Sequence, residues 1–461
     1  MATIRAGLVS LLALGIAGPA WAQSRIVPDD TLGAERSRVT QTVGGRPNEV
    51  IRGGARRGQN LFHSFEAFNV DEGRGAFFFS PDGLENIFSR VTGGSVSNIL
   101  GTLGTVGASA PDLYLLNPNG ILFGPSASLD VQGSFIATTA RYLLFEDGFS
   151  FDADAPNRPP LLAISAPVGL GFQAAPQPII NRSIAARPDG TPVGLEVPSG
   201  NTLALAGGNL FMTNGGRLTA AGGRVELGGL GTTGVVGLLA NETGIALSFP
   251  AGGLSTVTLQ DESRINVRGG SGEVVVNAGT FTVTNGSGLA LGPTGAEDGG
   301  MALINADTVR FSGVGPSGFG SLISNVALPG SSGDVGDTII NARRVSFDGD
   351  RRSLATSPGL GLETGIQSQA APGSTGDAGD IVINTETLEI SSTAGIRSLA
   401  YSDSQGAAGS VAVNAARIDL STLGFIEVVA LNDQAPGSVE IDTNRLSIRG
   451  GSAIGRTGRA I

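Results

Sequence analysis

The feature that most constrains the fold is a repeat that begins near residue 255 and continues towards the C-terminus. Each repeat consists of a glycine, a small or acidic residue, alternating aliphatic residues, an Asn or Asp, a turn and a second alternating strand. Successive repeats lie 28, 36, 43, 30 and 28 residues apart, counted between the polar positions Asn277, Asn305, Asn341, Asn384, Asn414 and Asp442. This pattern is typical of a solenoid coil with loops of variable length.

The residue types within a repeat predict how one coil folds. Val, Ile and Leu alternate with polar residues because each strand buries one face. The Asn at the fixed corner is expected to hydrogen-bond backbone groups or its counterpart one coil away. Since a coil cannot bury its apolar face alone, coils must stack.

We therefore predict an all-β fold, a right-handed parallel β-helix that resembles the solenoid of pectin lyases, with extra-helical hairpins in the N-terminal half. On the order of 16 to 18 coils, about 4.8 Å apart, would form a rod of about 80 Å. A β-propeller is the competing architecture. Its expected Trp-Asp dipeptides are absent from the sequence, and the period is uneven.

The N-terminal half differs from the repeats in its aromatic content. Twelve of the 20 Phe residues lie between Phe62 and Phe151, which predicts a separate and denser core. Periodicity alone allows a helix over residues 60–68, but flanking glycines bracket a run too short for one, so strands and turns are expected. Nine of the 23 Pro residues lie within 152–200, which indicates an excursion from the regular coils.

The first 22 residues have the organisation of a secretory signal peptide. Arg5 precedes an apolar stretch at 6–17, and the small residues Ala20 and Ala22 mark the cleavage site. The apolar stretch is shorter than the ~20 residues that span a bilayer, which counts against a membrane anchor. We therefore expect Sec export and no stable membrane insertion.

Charge counts against one class of partner. The chain carries a net charge of −11 at pH 7, and loss of the signal peptide removes a further positive charge. An acidic chain without a basic patch binds nucleic acid poorly, so no nucleic-acid partner is expected. The Gly-rich runs lack the Lys of a phosphate loop and precede strands, so nucleotide binding is not expected either.

A local motif at residues 117–121 reads Asn-Pro-Asn-Gly-Ile and interrupts an apolar run. The proline fixes φ, the first Asn can bond its own backbone, and Asn-Gly tolerates positive φ. The motif therefore predicts a tight turn between two strands.

This motif, followed by Phe-Ile-Ala-Thr-Thr-Ala at 135–140, resembles the secretion domain of filamentous haemagglutinin-type exoproteins of two-partner secretion, especially the cyanobacterial form. The resemblance extends over about residues 25–250 and includes the segments 68–70, 86–93, 98–101 and 222–228. It divides the chain into a signal peptide at 1–22, a two-partner secretion domain at 23–254 and irregular β-helical repeats at 255–461.

The resemblance implies export rather than catalysis. In this family an outer-membrane β-barrel transporter of a Gram-negative cell recognises the domain in the periplasm, and the passenger then threads outward and folds at the surface. The absence of Cys fits this route, because a premature disulfide would obstruct a narrow pore. The positions that carry over the recognition role are Asn69, Asn117, Pro118, Asn119, Gly120 and Ile121. A second Asn-Pro motif of the family is replaced here by Ser-Pro-Asp-Gly-Leu at 80–84, which leaves that contact unassigned.

Catalytic and metal-binding alternatives rest on few residues. His63 is the only histidine, so a multi-histidine metal site is excluded, and a structural role among Phe side chains is expected. The Gly-Asp turns at 333–337 and 376–380 resemble calcium-binding coils, but turn-forming Asp is the favoured interpretation. The Asp-Arg run at 348–352 is interpreted as a solvent-exposed loop. No catalytic residue, metal ligand or cofactor is predicted.

The predicted function is that of a secreted or cell-surface exoprotein that acts as a non-enzymatic adhesin or structural filament. A host, cell-surface or glycan receptor is the candidate partner besides the transporter. Two alternatives stay open. One is a secreted β-helix enzyme that acts on polysaccharides, which requires Asp, Glu and Arg clustered on one face of the rod. The other is a truncated passenger that lacks its effector region.

Overall fold

The structure, a computed structural model, describes residues 24–41, 48–154, 165–241, 244–350 and 363–458. Over these ranges the protein is all-β, as predicted, with one short 3₁₀ turn at Gly33–Glu35. A helix with the length and apolarity to cross a bilayer is not found in them. The predicted signal peptide, with Ala20 and Ala22, lies outside the described residues.

The strands form four sheets, here called A to D. Sheet A contains β1 (Ile26–Pro28), β4 (Ala55–Arg57), β5 (Asn60–Phe68), β7 (Asn86–Val91), β8 (Ser97–Ile99), β10 (Asp112–Leu116), β11 (Ile121–Phe123), β13 (Phe135–Thr138), β17 (Ile179–Asn181), β19 (Thr202–Gly207), β20 (Leu210–Met212), β22 (Arg224–Gly229), β25 (Thr256–Leu259), β27 (Glu273–Thr284), β29 (Ala302–Ser312), β31 (Thr338–Asp348), β33 (Ile381–Ser391), β35 (Val411–Leu420) and β37 (Val439–Ile448). Sheet B contains β2 (Ser37–Gln41), β3 (Asn48–Gly53), β6 (Gly75–Ser80), β9 (Thr102–Gly107) and β12 (Ser128–Asp130). Sheet C contains β14 (Tyr142–Phe145), β15 (Ser150–Asp152), β16 (Pro167–Phe172), β23 (Gly234–Asn241) and β24 (Gly244–Ser248). Sheet D contains β18 (Leu195–Glu196), β21 (Arg217–Thr219), β26 (Arg264–Asn266), β28 (Gly288–Leu291), β30 (Leu322–Ala327), β32 (Gly365–Ala370), β34 (Gly395–Ala400), β36 (Phe425–Ala430) and β38 (Ala453–Gly458).

The repeats stack as parallel strands in register, which makes the fold a parallel β-helix. From β27 to β37, each corner residue of sheet A faces the corner residue of the next coil. The Asn side chains form a ladder in which each Nδ2 donates to the Oδ1 one coil earlier. The four distances are 3.2, 3.0, 2.9 and 2.8 Å, along Asn277, Asn305, Asn341, Asn384 and Asn414. The predicted contact between corner residues is thus confirmed.

The core of the helix is built from the inward positions of these strands. In β33, Ile383, Leu388 and Ile390 are fully buried, while the corner Asn384 is exposed. Like residues also stack, since the rings of Phe281, Phe311 and Phe347 follow one another at centroid distances of 5.9 and 5.4 Å. Burial of one such side chain is worth about 1.5–3 kcal/mol. A coil is therefore stable only against a neighbour.

The number of coils is smaller than predicted. Among the described residues, consecutive parallel pairings stack twelve strands of sheet A, from β5 to β37. At about 4.8 Å per layer the stack is about 55 Å long. The reason is that some coils contain long excursions. The coil that begins with β13 passes through β14, β15 and β16 before it returns to the helix at β17.

Antiparallel strands distinguish the N-terminal half. β1 and β4 pair with the outer edge of β5 and so cover the first coil. The strands of sheet C pair antiparallel with one another and pack against the outside of the helix. Between sheets A and C lies a second core, in which Phe62 contacts Phe88, Phe145 and Phe151 at ring distances of 5.1 to 5.8 Å. The extra-helical hairpins and the denser aromatic core are both confirmed, as is a strand at residues 60–68.

Candidate functional site

The predicted turn at residues 117–120 joins β10 to β11. β10 ends at Leu116 and β11 begins at Ile121. The backbone N–H of Gly120 donates to the carbonyl oxygen of Asn117 at 3.1 Å. Gly120 has a φ of +109°, which side-chain-bearing residues rarely adopt. The sequence motif and the observed turn agree in position and in length.

Asn117 is the buried brace of this turn. Its Nδ2 donates to the carbonyl oxygen of Ser95 at 3.0 Å and to Oγ of Ser97 at 2.9 Å. Its Oδ1 accepts from the backbone N–H of Asn119 at 2.9 Å and from Asn119 Nδ2 at 3.2 Å. The side chain is fully buried. It therefore fastens the turn to the preceding coil and is closed to any partner of the folded protein.

Asn69 and Asn119 flank this brace at the surface. Asn119 Nδ2 also donates to the carbonyl oxygen of Gly93 at 2.6 Å. Oδ1 of Asn69 accepts from the backbone N–H and the side chain of Asn98, at 2.9 and 3.2 Å. Because Asn98 lies in β8, directly after the Ser97 that contacts the turn, the structure brings Asn69 and the turn to the two sides of one strand.

Accessibility divides the six predicted residues into two groups. Asn69 and Asn119 are half-buried, whereas the other four are buried: Asn117, Pro118, Gly120 and Ile121. A cavity of about 260 Å³ borders the turn and is lined by Pro118, Asn119, Arg141 and the loop 173–177. In the folded protein, a partner can therefore reach two amide side chains and the cavity beside them, but not all six predicted residues.

The segment at residues 80–84, which replaces the second Asn-Pro motif of the family, also forms a turn, but a different side chain holds it. Ser109 Oγ donates to the carbonyl oxygen of Pro81 at 2.9 Å and accepts from the backbone N–H of Leu84 at 3.1 Å. Gly83 takes a φ of +73°. A hydroxyl from the next coil therefore does here what the side chain of Asn117 does in the later turn.

His63 is structural, as predicted. The side chain is fully buried, its Nδ1 lies 3.0 Å from Oγ of Ser37, and its ring lies 6.2 and 5.2 Å from those of Phe65 and Phe78. Burial lowers the pKa of His63 to about 3. The imidazole is consequently neutral at physiological pH and out of reach of an external substrate.

Sequence reasoning did not find the buried Arg90. Its Nε donates to Oγ of Ser64 at 2.9 Å and its Nη2 to Oγ1 of Thr31 at 2.8 Å. Its guanidinium lies 4.3 Å from the ring centre of Phe151 in sheet C. Burial lowers the pKa of Arg90 to about 10, so the group remains charged at neutral pH. Arg90 fastens sheet C to the first coils, and its only sequence signal is a charge inside an apolar strand.

The Gly-Asp turns use their carboxylates to hold adjacent coils. Asp334 Oδ1 accepts from the backbone N–H of Asp377 at 2.8 Å, and Asp377 Oδ1 accepts from that of Ala407 at 2.7 Å. A parallel column runs from Asp337 to Asp380 at 3.0 Å. These Asp side chains therefore bridge adjacent coils, whereas the sequence predicted that they form turns. Among the described residues, His, Cys, Asp and Glu do not gather in groups of three or more suited to a metal ion.

The Asp-Arg run at 348–352 is described only in part. Asp348 Oδ1 accepts from Oγ of Ser391 at 2.9 Å, in the next coil. Arg351 and Arg352 lie outside the described residues. What is visible of this run is a contact between coils.

The profile of one protein family, described as the TPS secretion domain, matches residues 24–283, more than half of the chain. The chain belongs to this family. TPS stands for two-partner secretion, and the domain implies an exoprotein that crosses the outer membrane with a partner transporter in that membrane. The turn at 117–120, Asn69 and β8 all lie within the matched region of the TPS domain.

Individual relatives of the TPS domain are distant. The heme/hemopexin-binding protein of Haemophilus influenzae is 32% identical over 84 residues, which are 18% of this chain and 9% of that protein. The match thus spans about a tenth of that relative. The crystal structure of the HMW1 secretion domain from Haemophilus influenzae covers 94% of this chain and 99% of its own, at 16% identity and a TM-score of 0.44. The filamentous hemagglutinin secretion domain has the same coverage, at 12% identity and a TM-score of 0.30.

Proposed function

We propose that this protein reaches the periplasm by Sec export, passes its outer-membrane transporter and acts outside the cell as a non-enzymatic adhesin or structural filament. The observation that carries the proposal is a TPS secretion domain continuous with a stack of parallel coils from β5 to β37. A stack of coils presents an extended surface along its length, which suits the binding of a large partner.

We further propose that the transporter reads the segment around residues 69–121 before its coils close. In the folded turn, Asn117 is enclosed by four hydrogen bonds and Ile121 is buried. In an extended chain both side chains are available, and the strands on either side of the turn can pair with an exposed sheet edge of a partner. Folding outside the cell then withdraws these groups from the transporter.

In this proposal, the stacking of coils outside the cell makes export proceed in one direction. An emerging coil buries residues such as Ile383, Leu388 and Ile390 only when the preceding coil is already in place. Each burial is worth about 1.5–3 kcal/mol, so a coil that has docked outside is held there. Export then needs no nucleotide at the outer membrane.

The two outer cavities do not have among their described lining residues the pair of carboxylates that glycoside hydrolysis uses. Two cavities on the outer faces of the helix, of about 510 and 450 Å³, have one carboxylate each in their linings, Glu262 and Glu389. Glycoside hydrolysis uses two carboxylates about 5 to 10 Å apart. The described residues of these two cavities therefore give a polysaccharide-cleaving enzyme no specific support, and that alternative rests on a third cavity, of about 400 Å³, whose lining holds both Glu85 and Asp112.

Secretion beside the cognate transporter tests the recognition role. Asn69→Ala and Asn119→Ala each remove two hydrogen bonds of a half-buried amide. Asn341→Ala, in the corner ladder, also removes two and is the matched control. We expect the first two variants to accumulate in the periplasm with severalfold less protein in the medium, and Asn341→Ala to be secreted like the wild type.

Equal secretion of all three variants would refute the recognition role. An equal loss in all three would assign the effect to folding instead. The adhesive or filamentous role is tested on the secreted, folded protein by its binding to cells and by electron microscopy. A protein that neither binds cells nor assembles would contradict that part of the proposal alone.

A further inference from the structure

The outer face of sheet D has a cavity of about 510 Å³ that gathers three arginine side chains. Arg217 and Arg264 are register partners on the adjacent parallel strands β21 and β26. Arg268 follows β26 by two residues and lines the same cavity. Parallel partners lie about 4.8 Å apart, so two like charges stand side by side.

The cavity exists because the next strand carries almost no side chains on this face. Gly288 and Ala290 of β28 pair with Arg264 and Asn266 on one side, and with Leu322 and Ser324 on the other. A Cβ at Gly288 would collide with the carbonyl oxygen of Leu322. The floor of the cavity, formed by β28, therefore stays open between the longer side chains of the two neighbouring strands, β26 and β30. Phe319, 38% exposed, stands at the wall.

In the part of the chain that the structure describes, the three half-buried guanidinium groups lack the carboxylate partners that Arg224 and Arg397 have elsewhere in the molecule. Nε of Arg217 and Nε of Arg268 are buried without a hydrogen-bond partner. Arg264 Nη1 donates to the carbonyl oxygen of Gly286. Among the described residues none of the three forms a salt bridge, whereas Arg224 and Arg397 pair with two carboxylates each.

Electrostatics make this cavity a site for an anion. Burial lowers the pKa of Arg217, Arg264 and Arg268, and the neighbouring charge of Arg217 lowers that of Arg264 further. The single carboxylate, Glu262, accepts from the backbone N–H of Ser317 at 2.8 Å, and this bond lowers its pKa. Three positive charges thus face one negative charge, in a chain whose net charge is −11. Half-buried charge whose hydrogen-bonding groups are incompletely paired is costly, and an anion would relieve that cost.

We propose that this cavity binds an acidic saccharide, a sugar ring that bears a carboxylate or a sulfate. The guanidinium fork matches the geometry of both groups. Phe319 supplies an apolar face for the ring, and Asn266, Ser324 and Glu262 supply partners for hydroxyl groups. The volume lies within the range of small-molecule sites. The inference deepens the proposed adhesive role, on which its biological meaning rests, by naming a ligand class.

Calorimetric titration of the purified, folded chain tests the site. The probes are a galacturonic acid trisaccharide, a sulfated oligosaccharide of the same length, the neutral oligosaccharide, inorganic sulfate and ATP. We expect an acidic saccharide to bind, the neutral one not to bind, and the affinity to fall as ionic strength rises. The carboxylate and sulfate probes decide which group the site prefers.

Variants locate the binding. Arg217→Gln and Arg268→Gln should each lower the affinity at least about tenfold, since each removes a charged hydrogen bond. Ala290→Leu should block binding by filling the floor without a change of charge. Arg445→Gln removes the same charge from an exposed position outside the cavity and is the control.

Three results would overturn the site: no binding of either acidic saccharide, equal loss in Arg445→Gln, or tighter binding of ATP or inorganic sulfate than of any acidic saccharide. Since binding is measured on purified protein, a failure of the export or adhesion proposals leaves it unaffected.

Discussion

Replacement of Asn117 by Ala tests how far the turn depends on one buried amide. The change removes four hydrogen bonds, among them those to Oγ of the buried Ser97 and to the backbone N–H of the half-buried Asn119. A typical intramolecular hydrogen bond contributes about 0.5–1.5 kcal/mol net, and an unpaired buried polar group costs about 1–3 kcal/mol. We expect Asn117→Ala to lower the free energy of unfolding of this region by about 3–5 kcal/mol.

The measurement combines urea unfolding, followed by far-ultraviolet circular dichroism, with hydrogen exchange of the amides at 93–98 and 117–121. Exchange is needed because stacked coils can unfold in segments, so a single global value is not sufficient. Asn119→Ala removes two of the bonds of a half-buried side chain and serves as the comparison, with an expected loss of about 1–2 kcal/mol.

A loss below about 1 kcal/mol for Asn117→Ala, or one equal to that of Asn119→Ala, would refute the role of Asn117 as the brace of the turn. A loss of protection in the repeats but not at 93–98 would do the same, since the side chain contacts only its own turn and the preceding coil.

Three further predictions concern the coils and the single histidine. Asn341→Ala should lower stability by about 2 kcal/mol and Asn277→Ala by about 1 kcal/mol in urea unfolding, because Asn341 both donates and accepts in the ladder whereas Asn277 only accepts. Asp377→Ala should cost about 1 kcal/mol, Asp377→Asn, which keeps an acceptor oxygen, should cost less, and a chelator should not shift either unfolding midpoint. The pKa of His63 falls from about 6.5 in the unfolded chain to about 3 in the folded one. The neutral imidazole therefore makes its full contribution to the free energy of unfolding above pH 6.5, and that contribution is lost as the pH falls towards 3. Burial raises the pKa of Glu226 to about 7, so this carboxyl group makes the free energy of unfolding fall as the pH rises, opposite to the effect of His63. The quantity to measure is therefore the difference in free energy of unfolding between the wild type and His63→Gln. It should shrink by about 1.4 kcal/mol per pH unit between pH 6 and 4, and a constant difference would contradict the assignment.

The sequence predicted the features that depend on local patterns. The alternation around Asn341 and Asn384 indicated strands with a polar corner, and the ladder followed because identical coils place identical residues opposite each other. The Asn-Pro-Asn-Gly order indicated the turn, since each residue type there has a specific backbone preference. A lone His63 among Phe residues indicated a structural role.

Features that depend on register between distant segments were not predicted. The proline-rich stretch at 152–200 indicated an excursion, but the coil count was too high because the excursion begins earlier, at β14, and because β23 and β24 also leave the helix. The burial of Arg90 depends on sheet C, which returns to the helix from later in the chain.

Asn117 and the arginine cavity show the division most clearly. The sequence alone determined a parallel solenoid and an Asn-Pro-Asn-Gly turn, because periodicity and short motifs are properties of neighbouring residues. Its resemblance to a known family indicated the TPS domain. Only the tertiary structure decided that Asn117 is buried, and that Arg217, Arg264 and Arg268 converge over a strand with almost no side chains. Convergence of this kind depends on which coils become neighbours, and loops of variable length hide that from the linear pattern.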